Sequence, residues 1–507
     1  MNINRFFPAI VITGLLLLGI NSFVSLIAQP KSLVTVADVR YQGNSRCYRC
    51  HEQPSQFDRN TGVTSFIELT EAKDWTTKDK HGSALINITD TPLGKQMLTR
   101  LKIDAADIEH QAQCTSCHSN QHWVEKHDDY AGLPDNIIGR ESGVTCESCH
   151  GPSTQWDIEH SDSRWRLIDP LVKAQHGMTD LRNPVVRAET CFSCHIGNAE
   201  QGKVITHEMY AAGHPPLPSV ELDAFIDQMP AHWHSINNKQ DFTHRERYLE
   251  LNRYVQKSGK LEQIVLNALV AYRTSLQLIV SINAKSDEYA WPELGVYDCY
   301  GCHHELKSPS WRGQTLPGVV PGRPQFHLWP TTLIALDDAS NESLQTAGSQ
   351  LRDNLNKHPF GNAKSISDDI GPLIAALTAA IDKKLAARAI ALANKIDSKP
   401  PLPSAKTDAK QAITALCKLA AKQPDSFESA RQIAWAIQSV YRDSQLPENI
   451  AVTSALEQLS KQLMLEFPAG PSLPTSTNQQ SSQIAVSQYE PAEFQKFIAD
   501  IDAALNP

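Results

Sequence analysis

The stretch VTCESCHGP, residues 144–152, sets two cysteines two residues apart with a histidine directly after the second. A disulfide, half of a zinc site and a covalent haem anchor can each use such a pair. The rest of the chain discriminates among them. The same five-residue frame occurs five times: Cys47 and Cys50 with His51, Cys114 and Cys117 with His118, Cys146 and Cys149 with His150, Cys191 and Cys194 with His195, and Cys299 and Cys302 with His303. Ten of the eleven cysteines are used, leaving Cys417. With 11 Cys and 19 His placed at random among 507 residues, roughly 0.01 such frames are expected, so the repetition is not chance. Neither zinc nor a disulfide needs a histidine after the second cysteine every time. Covalent haem attachment needs all three residues: each thiol adds to one vinyl group, and the adjacent imidazole falls under the iron. The frames therefore predict five covalently bound c-type haems.

The frames begin at 47, 114, 146, 191 and 299, so they are not a strict tandem repeat. The first four lie in a stretch rich in His, Pro and Gly, where porphyrins would fill much of the core. Residues 258–283, SGKLEQIVLNALVAYRTSLQLIVSIN, carry Leu261, Ile264, Val265, Ala268, Leu269, Tyr272, Leu276 and Ile279 at the spacing of one helix face. From about 340 the frames cease and helical stripes follow one another. Leu373, Ile374, Leu377, Ile381 and Leu385 form one; Phe427, Ala430, Ile433, Ala434, Ile437 and Tyr441 form another, with Asp425 and Glu428 placed as a capping box. A polar linker at 468–488 precedes a last short helix. Cys417 falls on an apolar helix face and reads as an inert buried thiol.

The expected fold is mainly α: a pentahaem cytochrome c domain with little β structure over 38–335, then an all-helical domain over 340–507. Before them, residues 6–28 are mostly apolar and follow Arg5, so 1–30 is a signal peptide or an N-terminal membrane anchor. Asn21 and Ser22 interrupt the run and favour cleavage; Leu26 makes a mediocre cleavage site. Either route exports the chain to the periplasm, where c-type haem is attached. The net charge of −9 gives no hint of nucleic-acid binding.

The sixth iron ligand decides the chemistry. Fourteen histidines remain outside the frames, against five methionines after the first residue, so histidine is expected at most distal positions. His/His iron has a lower potential than His/Met iron. The distal candidates are His81 in DWTTKDKHGSAL, His160 in HGPSTQWDIEH, His207 and His214 in THEMYAAGHPPLP, and His234, or its neighbour His232, in PAHWHS. His122, His127, His176 and His327 have less context, and His304, next to His303, cannot reach the far face of the same haem. Met97, Met178, Met209 and Met229 read better as packing.

At YQGNSRCYRCHE, KHGSAL, GVTCESCHGP and AAGHPPL the chain resembles the cytochrome c-552/4 family of multihaem cytochromes, over roughly residues 40–220. The resemblance implies closely packed c haems that shuttle electrons in the bacterial periplasm. It implies proximal roles for His51, His118, His150 and His195 and distal roles for His81 and His214. The fifth frame and the helical C-terminal part have no counterpart in that pattern.

Three functions follow. An electron carrier with six-coordinate irons would act with redox partner proteins, and with the membrane if the N-terminus is retained. A redox enzyme would convert a small nitrogen or sulfur compound at one open haem; the lysine-ligated CxxCK variant of ammonia-forming nitrite reductases is absent. A haem sensor would signal through the helical part.

Overall fold

The computed structural model describes residues 39–52, 67, 69–119, 143–233, 247–248, 260–303, 319–320, 322–397, 405–422, 426–444, 446–466 and 489–506. Among them the architecture is almost entirely helical. Among the described residues two isolated bridges, Asn198 with Lys203 and Tyr297 with Phe326, are the β pairings, and no sheet forms. The N-terminal apolar segment, the linker at 468–488 and His234 lie outside the described residues.

The first part is built from short helices: α1 Asn44–His51, α2 Glu71–Lys78, α3 Ile86–Asp90, α4 Pro92–Leu101, α5 Ala112–His118, α6 Cys146–His150, α7 Pro170–Gln175, α8 Pro184–His195, α9 His207–Ala212 and α10 Leu222–Gln228. Local chemistry starts several of them. Thr91, Asp169 and Asn183 each accept a backbone N–H at the N-cap and are followed by proline, whose missing N–H costs nothing there. α6 opens on a capping box made by Thr145 and Ser148, two residues of VTCESCHGP. It stops at Gly151, whose φ of 84° suits glycine and where a Cβ would meet the Gly177 carbonyl oxygen at 2.1 Å.

Helix α11, Lys260–Ala284, is the spine. Ile264, Val265, Leu269, Leu276 and Ile279 of its expected face are all buried. It packs against α8 on one side and, on the other, against α13 Ala363–Asp397 and α15 Phe427–Asp443. Arg273 on α11 is paired with Glu189 on α8. By length and composition α11 is the helix among the described residues able to cross a membrane, yet 61 % of its most apolar stretch is buried, as a core helix requires.

The remaining helices are α12 Asp338–Lys357, α14 Ala405–Lys422, α16 Ile450–Leu463 and α17 Pro491–Leu505. Leu373, Leu377 and Ile381 are buried, as are Phe427, Ala430, Ile433, Ala434 and Ile437. The cap of α15 is Ser426, which accepts from the Ser429 N–H, in place of the expected Asp425. Cys417 is buried in this core, and burial pushes its thiol up to about 12, so it is not a thiolate at neutral pH. One hydrophobic cluster runs from Val185 on α8 through α11 to Ile501 on α17. The change near 340 is thus one of composition, and packing continues across it. A smaller cluster of Leu85, Ile88, Met97, Leu98, Ile108, Cys114 and Ala212 serves the haem-frame part and takes in Met97 as packing.

Candidate functional site

Four of the five frames occupy the C-terminal turn of a helix, with the frame histidine as its last residue: α1, α5, α6 and α8. On a helix, positions i, i+3 and i+4 share a face, so both thiols and the imidazole of each frame point the same way. The fifth frame begins in a 3-10 turn, Cys299–Gly301. None of the eleven cysteines forms a disulfide. Among the described residues, no group of three or more His, Cys, Asp or Glu side chains is arranged to hold a metal. Neither a disulfide framework nor a protein-only zinc site is therefore built from the frames.

Each frame histidine instead faces one other histidine. With a metal–imidazole bond of about 2.0 Å and a ring nitrogen about 1.1 Å from its centroid, two imidazoles on opposite faces of one metal place their centroids roughly 6.2 Å apart. His51 and His160 (site 1) stand 6.1 Å apart, His118 and His214 (site 2) 6.2 Å, and His150 and His232 (site 3) 6.5 Å. His195 and His81 (site 4) are 6.0 Å apart, and His303 and His207 (site 5) 6.3 Å. The ring planes fall into two classes. Sites 1 and 5 are near parallel, at 8° and 26°, whereas sites 2, 3 and 4 are near perpendicular, at 78°, 75° and 78°. All five frame histidines and four of the expected distal ones, His81, His160, His207 and His214, are thus brought into pairs. At site 3 the partner is His232; His234 is outside the described residues.

Three of the imidazoles are held in one tautomer by backbone carbonyls. Nδ1 of His118 lies 2.9 Å from the Ala84 carbonyl, that of His160 2.9 Å from the Trp156 carbonyl, and that of His214 2.7 Å from the Pro215 carbonyl. A carbonyl only accepts, so Nδ1 carries the proton and Nε2 keeps its lone pair. Two histidines meet carboxylates instead: His51 Nδ1 is 3.0 Å from Glu71 Oε2, and His81 Nδ1 is 2.8 Å from Asp79 Oδ1. Burial also keeps imidazoles neutral. It lowers His118, His160 and His232, and holds His150, His195 and His214 down at about 4. Neutral imidazole is the metal-binding form.

The sites adjoin one another in a definite order. Site 1 lies beside site 3, near enough that a proton on either of its histidines would lower His150. These two sites are clipped together by Glu147, inside the third frame, whose buried carboxylate accepts the Gln42, Gly43 and Ser153 N–H groups, and by Asn44, which accepts the Cys146 N–H at 2.8 Å. Trp75 joins site 3 to site 4: its ring lies 5.5 Å from His232 and 5.6 Å from His81, while its Nε1 donates to the Val144 carbonyl. The segment leading into the third frame lies so close to the His81 turn that a Cβ at Gly143 would meet the His81 carbonyl oxygen at 2.1 Å. Site 4 adjoins site 2: Cys194 and Cys117 lie near enough to perturb one another, and Lys203 acts on both. Site 2 meets site 5 through α9, which has His207 as its first residue and His214 just beyond its end; Tyr210 lies 6.0 Å from His214 and senses Cys299. The order is 1–3–4–2–5. Cys50 and Cys302, in the two terminal sites, are the exposed cysteines. Phe225 on α10 links site 4 to the helical core, touching His195 at 5.8 Å and Trp435 at 5.4 Å.

Sequence reasoning missed Glu71, Asp79 and Glu147. Asp79 lies two residues before His81, a short-range clue; Glu71 reaches His51 across 20 residues and carries no sequence signal.

Residues 46–151 match the family model described as cytochrome c554 and c-prime. This stretch, which holds the first three frames and His81, is similar to a cytochrome c domain. The match ends before AAGHPPL at 211–217 and leaves the last two frames and the helical part uncovered. No curated protein and no solved structure matches the chain.

Proposed function

We propose that the chain is an exported pentahaem c-type cytochrome that relays single electrons between redox partners in respiratory or nitrogen and sulfur metabolism. The observation that carries this reading is the set of five histidine pairs, all at the spacing of two imidazoles across one metal. In each, the frame thiols would fix the porphyrin and the two Nε2 atoms would hold the iron. A haem so held supplies a one-electron centre. The protein's part is to fix His51, His81, His118, His160 and His214 through their Nδ1 partners and to keep the buried imidazoles neutral. The line 1–3–4–2–5 would give electrons an entry and an exit at the two more open ends. Export fits the apolar segment at 6–28, and the 46–151 match fits the carrier class.

The same pairs weigh against a redox enzyme, because every frame histidine has a second imidazole where a substrate would bind. Spectra of the dithionite-reduced protein before and after carbon monoxide test the reading. Unchanged spectra, with no turnover of nitrite or hydroxylamine, are expected. A Soret shift worth one haem in five would mean an open iron and would favour the enzyme.

A further inference from the structure

Two of the ten paired histidines donate to a carboxylate, and they belong to different sites. Asp79 is buried, with its side chain 3 % exposed, and its Oδ1 accepts from both the Nδ1 and the backbone N–H of His81. Its Oδ2 is buried and has no hydrogen-bond partner among the described residues. Glu71 is 15 % exposed and accepts from His51. By contrast, both histidines of site 2 donate to backbone carbonyls, as does His160 of site 1. A carboxylate draws the Nδ1 proton more strongly than a carbonyl does, which makes Nε2 a more basic ligand. A more basic, more anionic ligand stabilises ferric over ferrous iron, and low-dielectric surroundings strengthen the effect.

We propose that Asp79 and Glu71 set the order of reduction along the line: sites 4 and 1 hold the ferric state most strongly and are reduced last. The inference rests on the histidine-pair reading above. Site 4 is the middle of the line, so the potential would dip there and electrons would settle on either side of it. The two carboxylates also act through space on His232 of site 3, without a hydrogen bond, so a smaller effect is expected there. Cations oppose them. Lys80 adjoins Asp79, Arg187 lies near Cys191, and Lys203 acts on the thiols of sites 2, 3 and 4 alike. These cations are unchanged in variants that alter only a carboxylate, so such variants isolate its effect.

The test is a potentiometric titration of the fully haem-loaded protein followed by low-temperature electron paramagnetic resonance. Site 1 has parallel rings and should give a rhombic low-spin signal. Site 4 has perpendicular rings, which leave two d orbitals nearly degenerate and should give a strongly anisotropic one. Asp79→Asn should favour reduction of one anisotropic signal about tenfold, a rise of 59 mV for a one-electron couple. Glu71→Gln should do the same to a rhombic signal. Unchanged midpoints in variants that stay low-spin would overturn the proposal, as would both variants moving the same signal. If Asp79→Asn instead releases His81 and turns one haem high-spin, Glu71→Gln alone decides, and an unmoved rhombic midpoint overturns the proposal. A high-spin or missing haem in the unaltered protein would refute the histidine-pair reading instead.

Discussion

Between Asn44 and Ala212 the helices are 5 to 12 residues long; from Asp338 to Leu505 they run from 14 to 35. Helices of the first kind are marginal on their own in water. The buried positions on and between them include Asn44, Asp79, Thr115, Ser116, Glu147 and Ser153, and apart from α8, which joins the large cluster, their apolar cluster is small. The second kind buries Leu, Ile, Ala and Phe along continuous stripes. The helical part can therefore be held by side-chain packing alone, whereas on the pentahaem proposal the short-helix part is held by groups bound between its helices, as small metal-dependent domains are.

The largest expected break in this comparison comes from removing one of the proposed inner haems. Cys146→Ala with Cys149→Ala takes the attachment point from site 3, which touches sites 1 and 4. Limited proteolysis with mass mapping should find residues 39–178 cut rapidly and residues 338–506, which share the large apolar cluster, protected. Equal digestion of both parts would contradict the comparison. A smaller effect tests the other half. Phe494 on α17 is fully buried, so Phe494→Ala should destabilise the helical core by about 3–5 kcal/mol, with the haem spectrum and potentials unchanged. Parallel changes in haem absorption would mean that the two parts do not differ as described.

The smallest effect lies at their junction. Glu221 caps α10 by accepting the Ala224 N–H, and burial, reinforced by Asp223, pushes its carboxyl up to about 8. The folded protein then binds this proton more tightly than the unfolded chain does. Its contribution is full below the ordinary carboxylate range and is lost as pH rises through about 8. Denaturant titrations should show stability falling from pH 6 to 9, and Glu221→Gln should flatten that fall. An unchanged slope would exclude Glu221 as its source.

Much of this was legible in the sequence for reasons that the comparison makes plain. Helical stripes report their own packing, so α11, α13 and α15 could be read from periodicity, to within two residues at each end of α11. The frames report their own chemistry because thiols and histidine lie on one helical turn. Pairing across space is different. His81 meets His195, and His207 meets His303, across more than ninety residues, and no periodicity carries that information. His232 and His234 flank one tryptophan with near-identical local context, so the sequence could not separate them. His81 lies in a 3-10 turn just after α2, where Asp79 and the Trp75 ring fix it, an arrangement that DWTTKDKHGSAL does not spell out.

The account stands or falls on the five histidine pairs and their ring angles. The most direct measurement is low-temperature electron paramagnetic resonance of the oxidised protein, alongside a pyridine haemochrome count. The account predicts five haems, all low-spin, with two rhombic signals from sites 1 and 5 and three strongly anisotropic ones from sites 2, 3 and 4. A haem count below five, or a high-spin signal worth one haem, would contradict it.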